Sequence, residues 1–156
     1  MAGRFLIFGV IGLVLIGGTA IAIGIATSDS SDVRAGDPVA SMDVLQEREV
    51  LFLEDHHVFL VLNEGEPLAL SDDPQHLEGE HTEWCESSQM FETPTHGEKF
   101  DRRGNYYGGP AAKGLDRYAV RVDGDAIYLD LDKVIPGPER GAEKPLEPEG
   151  PFCVTD

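Results

Sequence analysis

Three histidines and a cysteine share one polar stretch of this 156-residue chain: His76, His81, Cys85 and His96. His76 and His96 each occupy a glycine-bearing loop, within SDDPQHLEG and ETPTHGEKFD. Imidazole is a common ligand for zinc and copper, so two such loops can share one ion. His81, or a nearby carboxylate such as Glu78, would add a third donor. An exposed loop histidine is more often simply solvated, and the pair alone leaves both readings open. Other chemistry has little support in the sequence. No Ser or Cys stands in a Gly-flanked elbow, and there is no Gly-rich phosphate loop.

Strands must position these loops. EVLFLEDHHVFLVLNEGEPLALS reads as three strands, with Asn63-Glu64-Gly65-Glu66 as a hairpin turn. YAVRVDGDAIYLDL alternates Tyr118, Val120 and Val122 with Ala119 and Arg121, and turns at Asp123-Gly124. Between them, residues 72–114 hold few strand formers and many Gly, Pro and charges, and read as a loop-rich insert. Compact structure is expected from Arg48 to Ile135, with 27–47 as an acidic tether. Residues 136–156 read as an extended, flexible Pro/Gly/Glu-rich tail whose Phe152-Cys153 could dock back. Trp84, Tyr106 and Tyr107 read as packing residues, with an exposed docking patch as the alternative.

The first 26 residues differ in kind. Phe5 to Ala26 contains no ionisable residue and, as a helix, reaches roughly 30 Å, enough to cross a bilayer. A cleaved signal peptide, cut after Gly24-Ile25-Ala26, is the competing reading. The length of the run and the single Arg4 before it favour an uncleaved anchor. With Arg4 on one side and Asp29, Asp32 and Asp37 on the other, the domain is expected to face outwards from a cell membrane, N-terminus cytoplasmic. Gly18, Ala22 and Ala26 form a small-residue stripe that would admit another helix, or are simply common membrane composition. The net charge of −17 argues against nucleic acid and against lying on anionic lipid.

Taken together, the insert and the final hairpin resemble the Rieske iron–sulfur domain. The resemblance rests on His96-Gly97, Phe100-Asp101, Gly104, Gly109-Pro110-Ala111, Leu115 and the Tyr118–Leu131 hairpin, with EGEPLALSDDPQHLEG leading into the first ligand loop. It spans roughly Arg48 to Leu131 and implies an all-β fold, an antiparallel sandwich with a loop-rich insert, here following one transmembrane helix. It also implies a [2Fe–2S] cluster held by two thiolates and two imidazoles, in C-x-H and C-x-x-H loops. The matching positions read Pro74-Gln75-His76 and Thr93-Pro94-Thr95-His96. Both histidines are present, and both ligand cysteines are replaced. Proline has no side-chain donor, and a threonine hydroxyl is a poor, protonated substitute for a thiolate. Members of the family that work in quinol-oxidising complexes also have a disulfide joining the two loops; its positions here would be Glu80 or a neighbour and Thr95, where no cysteine stands.

Cys85 and Cys153 leave three readings open: a disulfide, two unpaired thiols, or a rebuilt cluster with His76 and His96. The leading functional expectation is a cluster-free Rieske-like domain. It would be an accessory, structural or interaction subunit of an outward-facing membrane complex of respiratory type, touching lipid through its helix. The alternatives are electron transfer through a non-standardly ligated [2Fe–2S] cluster, and a single zinc or copper ion held by His76 and His96.

Overall fold

Strand β3, Val58–Asn63, is VFLVLN, apolar on both faces for most of its length, and its position explains why. Phe59 and Val61 point into one hydrophobic cluster, Val58 and Leu60 into another. A strand covered on both faces has no reason to alternate with polar residues. In the computed structural model, which describes residues 36–154, β3 is an inner strand of a six-stranded antiparallel sheet, one in from its edge.

The remaining elements follow in chain order. They are β1 (Ala40–Ser41), helix α1 (Met42–Arg48), β2 (Val50–Leu53), then β3, β4 (Glu66–Ser71), β5 (Glu83–Cys85) and β6 (Met90–Glu92). After them come β7 (Lys99–Asp101), β8 (Tyr106–Gly108), β9 (Arg117–Asp123) and β10 (Ala126–Ile135). The large sheet runs β1-β10-β9-β4-β3-β2, and the small one β5-β6-β7-β8. One face of the large sheet offers Phe59, Val61 and Leu70 to Phe91 and Phe100 of the small sheet. Its other face packs Val58, Leu60, Ala69 and Ile127 under Leu45 of α1. The protein is thus mostly β and antiparallel, as the sequence suggests.

Both hairpins form. Asn63 pairs with Glu66 across Glu64 and Gly65, which both hold the positive φ of a type I′ turn. In the second, Asp123 pairs with Ala126, so the turn residues are Gly124-Asp125, one position later than Asp123-Gly124.

Three expectations need correction. The supposed tether is folded in its second half, because β1 pairs with β10 and α1 carries the chain from one edge of the sheet to the other. Ser41 caps that helix, its Oγ accepting from Val44 N at 3.3 Å, and Asp43 complements its first turn. With seven residues and only Leu45 buried, α1 is too short to show a helical period.

The insert, read as loop, contains a sheet of its own. Its strands are three residues long and carry buried Glu92, Lys99 and Asp101, which conceals any alternation.

The tail, read as flexible, is laid along the domain as far as Val154. Gly114 N donates to Pro138 O (2.8 Å), Leu146 N to Asp101 Oδ2 (2.8 Å) and Glu149 N to Ser88 O (3.0 Å). Cys153 is bonded to Cys85. A Cβ on Gly137 would stand far inside van der Waals contact with Gly114 O, so the tail's closest crossing requires glycine. The apolar run Phe5–Ala26 lies outside the described residues. Among those described, no helix is long and apolar enough to cross a membrane.

Candidate functional site

Two loops meet at one end of the small sheet. The first, 72–82, follows β4 and carries His76. The second, 93–98, connects β6 to β7 and carries His96. Their imidazole rings stand 5.6 Å apart, edge to face. The geometry is set below them. Gln75 takes a positive φ and its amide donates to Asp116 Oδ2, which pins the first loop. In the second loop Thr93 N donates to Glu98 O (3.0 Å), and Glu98 N donates back to Thr93 Oγ1 (2.9 Å).

Pro74 and Thr93, the positions where the resemblance puts thiolates, are both buried. The Thr93 hydroxyl donates to Glu98 Oε2, so it is fully used within its own loop. The disulfide positions hold a polar clasp instead. Glu80 Oε1 accepts from Thr95 Oγ1 at 2.6 Å and lies 2.8 Å from His96 Nδ1, tying loop to loop. Burial by itself would raise the Glu80 pKa. The hydrogen bonds of Thr95 and His96, with the nearby charges of His96 and His76, outweigh it and hold the carboxyl below its ordinary value. A third loop closes over this pair: Gly109 packs so tightly on the second that a Cβ there would stand 2.6 Å from Glu98 Cα.

Other residues are placed differently from the sequence expectation. His81 does not join His76 and His96. Its Nδ1 lies 3.0 Å from Asp72 Oδ2, while His57 Nδ1 approaches the same oxygen at 2.9 Å and the two rings stack at 5.1 Å. Nothing in the sequence pairs His57 with His81, because they belong to different turns brought together by the β3–β4 hairpin. Glu78 is exposed, and the carboxylate beside His96 is Glu80. Trp84 packs on Phe91 in the core, and Tyr107 on Phe152 of the tail. Beside His96, a cleft of about 600 Å³ is lined by Gly97, Lys99, Tyr107 and, from the tail, Phe152 and Val154.

Asp116 is the joint beneath the site. Its Oδ1 accepts from Lys113 Nζ (2.6 Å) and Gly137 N (2.7 Å), and its Oδ2 from Gln75. Burial pushes its pKa up, and these donors with the Lys113 charge more than reverse it, leaving the pKa below the ordinary carboxylate value. A group with a depressed folded pKa adds stability above its unfolded pKa and loses it as pH falls through the folded one. Stability measured by urea midpoint should therefore fall below about pH 4, and Asp116→Asn should flatten that acid limb while lowering the neutral plateau.

A [2Fe–2S] cluster of the Rieske kind needs two thiolates opposite two imidazoles. Among the described residues no cysteine is free, since Cys85 and Cys153 are joined to each other. Proline and a fully hydrogen-bonded threonine occupy the thiolate positions. The donor set does not fit that group.

No family model matches the chain, and no curated protein does. Solved structures do. The plasma-membrane Rieske protein PetC3 of the cyanobacterium Synechocystis PCC 6803 is 26% identical, with a TM-score of 0.51 over 60% of this chain and 98% of that one. The ferredoxin of carbazole 1,9a-dioxygenase from Nocardioides aromaticivorans IC177 is 25% identical, with a TM-score of 0.43 over 60% and 97%. The antiparallel sheets, the two histidine loops brought together as the resemblance implies, and the first of these similarities agree: the domain has a Rieske-like fold.

Proposed function

We propose that this chain is a Rieske-like domain that has given up its [2Fe–2S] cluster and serves as an accessory or interaction subunit of a membrane complex, on the extracytoplasmic side. The observation that carries this reading is the pairing of Pro74 and Thr93 at the thiolate positions with the disulfide that occupies both cysteines. Without thiolates one iron would have no protein ligand. A polar clasp, Glu80 to Thr95 and His96, holds the loops together where the quinol-oxidising members of the family have a disulfide. A fold does not fix its function, so a domain without the cluster can still serve through its surface.

The membrane assignment is supported by the apolar run from Phe5 to Ala26, by Arg4 ahead of it, and by the plasma-membrane location of the cyanobacterial protein. Lipid contact through that run and association with other subunits follow from the same reading.

The test is an absorption spectrum with iron, sulfide and metal analysis on the full-length chain purified aerobically from membranes. A folded protein without visible bands or acid-labile sulfide is the expected result. Broad visible bands with iron and sulfide in equal amounts would overturn the reading and restore electron transfer. Native mass spectrometry from mild detergent should show associated subunits, and a lone monomer would count against the accessory role.

A further inference from the structure

Two carboxylates lie buried beside His96, and each has one oxygen without a partner. Glu98 is fully buried and Glu80 is 8% exposed. Glu80 Oε1 takes Thr95 and His96, and Glu98 Oε2 takes Thr93. Glu80 Oε2 and Glu98 Oε1 receive no hydrogen bond from any described residue. Leaving a carboxylate oxygen buried and unsatisfied is costly. A bound cation would supply the missing partner.

The arrangement has the form of a ligand set. Glu80, His96 and Glu98 each bring a ligand atom within 4.8 Å of the others. Donors at about 2.0–2.2 Å around a tetrahedral zinc ion stand roughly 3.5 Å from one another, inside that limit. Each carboxylate is also oriented by a threonine hydroxyl, Thr95 on Glu80 and Thr93 on Glu98, as ligating carboxylates are by their outer partners. The set mixes imidazole with carboxylate, which suits borderline and harder divalent ions rather than those that demand thiolate.

We infer that Glu80, His96 and Glu98 form a mononuclear site for a divalent first-row metal ion, built from carboxylates in the seat where the family's fold holds a cluster. It rests on the proposal that no cluster occupies that seat. Three protein ligands leave a fourth position, and the His76 ring stands 5.6 Å from that of His96. The His57, Asp72 and His81 group is a separate trio of ligand types and supplies an internal control.

The experiment is a calorimetric titration of Zn²⁺ into the full-length chain after chelator treatment. One saturable zinc is expected at this site, weakened at least about tenfold by Glu98→Gln and by His96→Ala and unchanged by His81→Ala. Because Glu98→Gln alters a buried group, circular dichroism checks its fold. If it does not fold, the exposed His96→Ala carries the test. Excess zinc should raise the melting temperature of the native chain and raise that of His96→Ala by less. Absence of saturable binding, affinity indifferent to both substitutions, or an equal loss in His81→Ala would each overturn the inference. Failure on iron-free protein strikes this site alone, whereas iron and sulfide in the purified chain strike the cluster-free reading as well.

Discussion

Phe91→Ala should destabilise the domain by about 3–5 kcal/mol, a large share of the roughly 5–15 kcal/mol that holds a typical domain together. Phe91 is fully buried, with its ring 4.8 Å from Phe59 of the large sheet and 4.9 Å from Trp84 of the small one. With Phe100 it is one of the side chains through which the two sheets touch, and a cavity there has sheet on both sides that cannot easily collapse into it. Phe52→Ala is the natural comparison. That ring also meets Phe59, at 4.6 Å, but it is 45% exposed and leaves no closed cavity, so about 1 kcal/mol is expected. Urea unfolding of both variants at unchanged slope would check this. Equal losses would mean that the sheet-to-sheet contact is not where stability resides.

The second large effect is expected from the disulfide. Cys85 and Cys153 are 68 positions apart, and a loop of that length is worth about 4 kcal/mol in the chain-entropy account. Typical measured values are lower, so Cys153→Ser is expected to cost about 2–4 kcal/mol. Local contacts add to the loss. Glu92 is almost fully buried; its carboxylate accepts from Ser88 Oγ (2.6 Å), Cys153 N (3.3 Å) and Val154 N (2.8 Å), and Ser87 Oγ donates to Pro151 O (2.7 Å). If the tail lifts, Glu92 keeps only Ser88. Since Phe152 and Val154 line the cleft beside His96, reduction should also change the chemical shifts of the His96 ring. Coincident unfolding midpoints with and without reductant would show that hydrogen bonds alone hold the tail.

How much of this was legible beforehand follows from the length of each signal. β3 and the β9–β10 hairpin are long enough to declare themselves, and Gly65 and Gly124 mark their turns. His76 and His96 were recognisable as partners only through the order of family motifs, since their separation says nothing by itself. Helix α1 and strands β5 to β8 were illegible because each is too short for a period, and β6 and β7 also carry charged residues inside. Glu98 was missed for a related reason. In THGEKFD it looks like a solvated loop acid, and only the fold of the second loop onto Thr93 takes it out of water. Asp72 was hidden likewise, because its two histidine partners lie on either side of a hairpin.

The placement of β1 has a mechanical meaning. Two residue pairs, Ala40 with Ile127 and Ser41 with Ala126, fasten the incoming chain to the edge of the large sheet. Tension arriving from the N-terminal side would unzip these first and then draw α1 and its Leu45 off the sheet. Extension from Gly36 would stop at the covalent link at Cys85, after about 50 residues or roughly 170 Å of chain. The loop bearing His76 lies on the extensible side of that stop and the loop bearing His96 on the protected side. A pull would therefore part the two histidines while leaving His96 and Glu98 together inside the closed ring.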